Sequence, residues 1–89
     1  MGRVLATVKI FPSDANTDLE PLKERIGEHL PEGTSIYKFD EEPIAFGLVA
    51  VIAHVLIPEE ESGKMEQVEQ ALKSIRGVSE IQVAMVRRV

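Results

Sequence analysis

An α+β sandwich, with one four-stranded antiparallel sheet and two helices on one of its faces, is the fold that three features of this 89-residue sequence predict. Alternating segments and helically spaced segments follow one another as strand, helix, strand and then strand, helix, strand. The two halves are of about equal length, with no linker or low-complexity stretch between them. The third strand is apolar on both faces, which places it inside a sheet. This order is the split β-α-β pattern of a ferredoxin-like sandwich.

The first strand is "RVLATVKIF", residues 3–11, in which Val4, Ala6, Val8 and Ile10 fall on one side and Leu5, Thr7, Lys9 and Phe11 on the other. A turn-rich cluster, "PSDANTD", follows, and Leu19, Leu22, Ile26 and Leu30 then recur at helical spacing. Asp18 is the expected N-cap. Pro21 then falls at the third helical position, within the first turn, where backbone N–H groups have no intrahelical partner. Gly27 costs the helix about 1 kcal/mol relative to Ala, and Pro31 with Gly33 closes it.

The second strand, "TSIYKFD" at 34–40, alternates only partially and is the most polar, so it is expected at an edge. The third runs from about Leu48 to Ile57 and is expected in the centre. Then "PEEESG" leads into a helix with Ser62 as N-cap, and Met65, Val68, Leu72 and Ile75 form its buried stripe. Gly77 ends it. The last strand reads Ile81, Val83 and Met85 on one side and Gln82, Ala84 and Val86 on the other, and runs into "RRV". Right-handed crossovers are expected to set the first and third strands side by side in the centre as parallel neighbours. The sheet face away from the helices then needs a cover for Leu5, Phe11 and one face of the third strand, either a partner or long side chains lying over it.

Composition narrows the function. With 44% hydrophobic and 28% charged residues, the chain reads as a single soluble globular domain over residues 1–89. Ten Lys and Arg against fifteen Asp and Glu give a net charge of −5, which argues against direct nucleic-acid binding. Cysteine is absent, so disulfides, thiolate chemistry and cysteine-based zinc sites are excluded, and a reducing compartment fits. The N-terminus carries no secretory-signal pattern. The apolar run from Ile44 to Ile57 is fourteen residues long and interrupted by His54, short of the roughly 18–20 residues of a membrane span. The expectation is a cytoplasmic protein without a membrane segment.

Sites for chemistry are sparse. No GxxxxGK[ST] or GxGxxG motif cradles a phosphate. His29 reads as a cation at a helix C-terminus. His54 reads as a packed or hydrogen-bonded imidazole, with no second histidine or cysteine at ligand spacing. Asp40, Glu41 and Glu42 alternate between faces and read as solvated carboxylates, while Glu59, Glu60 and Glu61 complement the dipole of the second helix. Ser13 and Ser62 have turn and cap roles. No catalytic residue, metal site or cofactor is expected. Two features stand apart: Phe46-Gly47, a large ring beside a residue that permits close backbone approach in a connection between strands, and Arg87-Arg88, paired arginines in an acidic chain.

The stretches "VKIFP" at 8–12, "LPEG" at 30–33, "EEPIAFGLVAV" at 41–51, "IRGVSEIQV" at 75–83 and the ending "MVRRV" resemble the elongation factor 1-beta family, in particular its stand-alone archaeal form. The resemblance covers essentially all of the chain. It implies a ferredoxin-like guanine nucleotide exchange domain over residues 1–89, whose partner is the GTPase elongation factor 1-alpha and which acts by binding rather than by enzymatic chemistry. In the eukaryotic relatives an aromatic-glycine loop before the third strand contacts the G protein, and that motif falls on Phe46 and Gly47. A basic residue at the extreme C-terminus is carried toward the magnesium and phosphate end of the nucleotide site. Aligned from Met85 it is Arg87, and counted from the chain end it is Arg88. The relatives use a lysine at this tip, and they carry lysines just after the aromatic-glycine pair, where this chain has Val49 and Ala50. A reading from a different class is a small-metabolite-binding regulatory module, which shares the β-α-β-β-α-β plan.

Overall fold

The computed structural model describes residues 2–14, 16, 18–58 and 63–89. Its elements are β1 (Arg3–Pro12), α1 (Leu19–His29), β2 (Ser35–Pro43), β3 (Val49–Pro58), α2 (Lys64–Lys73) and β4 (Val78–Arg88). One sheet runs in the order β2-β3-β1-β4. The polar second strand is indeed at an edge and the doubly apolar third strand in the centre. β1 and β3 are central neighbours, but they pair antiparallel, Arg3 opposite Pro58 and Ile10 opposite Val51. The expected parallel pairing is therefore corrected: the crossover through α1 relates β1 to β2, and β3 enters between them by a hairpin that reverses its direction.

Both helices lie on one face. Ala6, Val8 and Ile10 of β1 and Val51, Ala53, Val55 and Ile57 of β3 pack against Leu22 and Ile26 of α1 and against Val68, Leu72 and Ile75, the buried stripe that α2 begins. Asp18 caps α1 as its side chain accepts from the N–H of Glu20, so Pro21 sits in the first turn at no cost in hydrogen bonds. Lys23 of α1 clasps the edge strand, reaching Glu41 at 2.7 Å and Glu20 at 3.3 Å, and the Glu41 carboxylate holds its ammonium above the ordinary lysine range. Ser62 and Glu59 to Glu61, read as a cap and as dipole partners, lie outside the described residues. α2 starts after Gly63, with no side-chain cap. Beyond it, Gly77 adopts φ +97, a backbone that suits glycine, and its carbonyl accepts from the N–H of Ser13.

β2 carries one register shift and β4 two. On β2 it lies between Ile36 and Lys38, so that Tyr37 is extra. On β4 one lies near the start, between the partners of Phe11 and Pro12, so that Ser79 is extra, and the other coincides with the step from Thr7 to Val8, whose partners are Met85 and Val83, so that Ala84 is extra. The straight alternation expected for the last strand is thereby corrected. Ile81 and Val83 face the helices, whereas Met85 crosses to the open face, opposite Thr7, and Val86 takes the helix side, opposite Ala6.

The open face is covered from within the chain only in part, and Tyr37 and Met85 remain exposed on it. Leu5 and Ala50 are buried although they lie away from the helical core. Lys9, opposite Ile52, reaches diagonally over β3 to Glu42, opposite Ala50, at 2.8 Å.

Candidate functional site

Phe46 and Gly47 form the turn between β2 and β3. The N–H of Leu48 donates to the carbonyl of Ala45 and that of Ile44 to the carbonyl of Leu48, both at 2.9 Å. Between them Phe46 has φ +53 and Gly47 φ +80. Positive φ at both central residues is the type I′ combination, for which Asn-Gly is the usual solution because a residue with a bulky side chain pays about 1–2 kcal/mol there. Phe46 is nevertheless 98% exposed, and no other residue with a side chain adopts positive φ among those described. Its ring touches no core, so folding alone gives no return for the strained backbone.

The terminal arginines lie elsewhere. Arg87 is opposite Leu5 and Arg88 opposite Val4, so they point to opposite faces of the sheet, Arg87 to the open face and Arg88 to the helix side. Leu5 is also opposite Leu56. Seven residues of β3 therefore separate the level of Arg87 from Val49 at the base of the hairpin, roughly 20–25 Å along the strand. The structure brings Phe46 and Gly47 together and brings the arginines together, but it places the two pairs at opposite ends of a molecule 42 Å long.

Spatial pairing recasts several polar residues. Thr7 Oγ1 lies 3.1 Å from His54 Nδ1, and His54 Nε2 lies 2.9 Å from Asp40 Oδ2. A carboxylate only accepts, so Nε2 carries a proton, and in the neutral ring Nδ1 then accepts from the Thr7 hydroxyl. His54 is thus the hydrogen-bonded imidazole its sequence context indicated. The three carboxylates read as solvated are all paired: Asp40 with His54 and, at 3.6 Å, with Lys38, Glu41 with Lys23, and Glu42 with Lys9. His54, Lys23 and Lys9 are distant in sequence from these carboxylates, so local alternation could not reveal them, whereas Lys38 and Asp40 are i and i+2 on one side of β2. His29 turns back on its own helix, its Nδ1 2.8 Å from the carbonyl of Arg25. Among the described residues no group of three or more His, Cys, Asp or Glu could hold a metal ion, and no helix is long and apolar enough to cross a membrane.

The His54 hydrogen bond holds the Asp40 carboxyl below its ordinary range, with the Lys38 charge adding to the effect. A lowered folded-state pKa contributes stability that is present above the unfolded aspartate value, about 3.9, and is lost as pH falls through the folded value. In acid-denaturation curves, Asp40→Asn is expected to be less stable than the parent at pH 5 and to converge with it as pH drops below about 3. A constant offset across that range would contradict the assignment.

On the same open face a groove of about 430 Å³ is floored by Leu5, Thr7 and His54 and walled by Tyr37 and Lys38 on one side and by Met85 and Arg87 on the other.

Comparison with known proteins decides the family. A family model described as the EF-1 guanine nucleotide exchange domain matches residues 5–89. The chain belongs to this exchange-domain family. Among the relatives, elongation factor 1-beta of Methanothermobacter thermautotrophicus is 51% identical over 89 residues, spanning 100% of this chain and 99% of the relative. Elongation factor 1-beta of Staphylothermus marinus is 45% identical over the same span. The C-terminal domain of the MgtC protein from Mycobacterium tuberculosis superposes with a TM-score of 0.58, covering 92% of this chain and 85% of that one. At 16% identity that likeness concerns the fold alone.

Proposed function

We propose that this chain is a translation elongation factor that promotes exchange of GDP for GTP on the GTPase elongation factor 1-alpha, and that it does so by protein binding. Family membership supports the exchange role. The observation that carries the mode of action is Phe46, a fully exposed aromatic ring held on a strained hairpin tip. Aromatic residues dominate binding energy at interfaces, and a turn that commits backbone strain to presenting one has its return in a complex.

Exchange requires differential binding. A factor that prefers the nucleotide-free GTPase weakens nucleotide affinity by the same factor, by reciprocity. Phe46 and Gly47 anchor one end of the contact. At the other end, a terminal arginine perturbs the phosphate and magnesium region of the partner's nucleotide site. Arg87 is the better candidate, because among the described residues its guanidinium has no ion pair or hydrogen bond, whereas Arg88 already interacts within the chain. A planar, five-donor guanidinium fits phosphate oxygens bidentately, unlike the point charge of the relatives' lysine.

Release of fluorescent GDP from elongation factor 1-alpha tests this reading. The chain is expected to accelerate release, and Arg87→Ala to lower the acceleration by roughly tenfold or more, the loss of one charge-assisted hydrogen-bonding group. Arg88→Ala is expected to stay within about twofold of the parent, as surface substitutions do. No acceleration by the parent chain would overturn the function, and equal rates for parent and Arg87→Ala would overturn the residue assignment alone.

A further inference from the structure

The groove on the open face is assembled by the bulges at Tyr37 and Ala84. On β2, Ile36 faces the helices, opposite Val55, and unbroken alternation would send Lys38 and Asp40 to that side. The extra residue Tyr37 reverses them: Lys38 stands opposite His54 on the open face, and Phe39 turns into the core. On β4, unbroken alternation from Val83 would send Met85 and Arg87 to the helix side, and the extra residue Ala84 reverses them as well. Both shifts occur at one level of the sheet, since Thr7 is opposite His54 and Met85, and His54 is opposite Lys38. Each bulge interrupts a hydrogen-bonded ladder, and bulges recur where a side chain must be re-aimed. Two on opposite edges, converging on one cavity whose size falls in the small-molecule range of roughly 300–1,000 Å³, mark a built site.

We infer that this groove binds a small phosphate monoester with a planar or apolar body. Lys38 and Arg87 line opposite walls, and a phosphate monoester offers three free oxygens, two for the Arg87 fork and one for Lys38, where a carboxylate has two in all. The Arg87 fork is uncommitted among the described residues and takes two phosphate oxygens together. Lys38 is held only at 3.6 Å by Asp40, whose carboxylate is engaged at 2.9 Å by His54, so its ammonium turns inward at little cost. Thr7, His54 and Asp40 satisfy one another and keep the floor fixed. Tyr37, exposed at 63%, together with Met85 and Leu5 supplies apolar contact for the body of the ligand.

Titration of the isotope-labelled chain, followed by amide chemical shifts and performed without a GTPase, tests the site with phenyl phosphate, inorganic phosphate and benzoate. Saturable shifts are expected for phenyl phosphate at Leu5, Thr7, Lys38, His54, Met85 and Arg87. Its Kd should be roughly tenfold below that of benzoate, and Lys38→Gln and Arg87→Gln should each raise it roughly tenfold. Tyr37→Ala should weaken phenyl phosphate more than inorganic phosphate. Shifts that fail to saturate, benzoate binding as tightly as phenyl phosphate, or a Kd unchanged in both Lys38→Gln and Arg87→Gln would each overturn the assignment. All three substituted side chains are exposed, and native spectra of the variants verify that they fold. The exchange reading stands or falls separately, because the titration contains no GTPase.

Discussion

Replacing Phe46 by Ala is expected to lower stimulation of GDP release by roughly thirtyfold, the effect of removing an aromatic hot spot worth about 2 kcal/mol, while the stability of the free chain stays within about 0.5 kcal/mol of the parent. The asymmetry follows from the position of the ring. At 98% exposure it has no contacts within the fold to lose, so unfolding curves should barely register its removal. Phe46→Gly sharpens the comparison. The φ of +53 costs an L-residue about 1–2 kcal/mol and glycine nothing, although glycine returns about 0.5–1 kcal/mol through the freedom of the unfolded chain. The Gly variant should therefore be as stable as the parent or more stable by up to about 1.5 kcal/mol, and as defective in exchange as the Ala variant. Exchange rates for either variant equal to the parent's would remove the hairpin tip from the interface. A large loss of stability would instead show that the ring packs against the fold.

The second large effect concerns the layer that holds the two ends of the sheet in fixed relation. Leu72 of α2 is fully buried among strand and helix side chains, so Leu72→Ala loses both transfer energy and packing around the cavity left behind, about 2–5 kcal/mol. For a domain of this length that corresponds to a fall in Tm of roughly 8–40 °C, and to a substantial part of the total stability. Leu72→Met, which conserves volume, should cost less than about 1.5 kcal/mol. Scanning calorimetry of the two variants checks the pair. Near-equal melting for Leu72→Ala and the parent would mean that α2 is not seated on the sheet as described.

The elements of the fold were legible where local chemistry decides them. Asp18 and Pro21 mark the start of α1 because an N-cap acceptor and a first-turn proline are short-range requirements. The two apolar faces of β3 announce its central place, where β1 and β2 pair with its two edges. The direction of β1 relative to β3 was misjudged, since handedness rules act on strands joined by a crossover and these two are joined only through β2. The bulges left a trace only in the imperfect alternation of residues 34–40. On β4, Ala84 is small and apolar and blends into an apolar run, so straight counting placed Met85 with Ile81 and Val83. Residues 7 and 54 meet only because β1 and β3 pair, and no spacing rule reaches across forty-seven positions. The groove depends on all of these long-range facts together. The Phe46-Gly47 motif was visible as a motif, but its exposure and positive φ are properties of the hairpin geometry.

The extra residues Tyr37 and Ala84 act as phase shifts of half a pleat. Beyond each of them, the side of the sheet on which a residue appears is set by one inserted peptide unit rather than by the residue's own chemistry. Loss of a single codon at Ala84 would exchange the environments of Met85, Val86, Arg87 and Arg88 without altering any of those side chains. The C-terminal tail of this domain is therefore open to change by length as well as by substitution. In comparing relatives, a one-residue gap in β4 carries more functional meaning than several replacements within it.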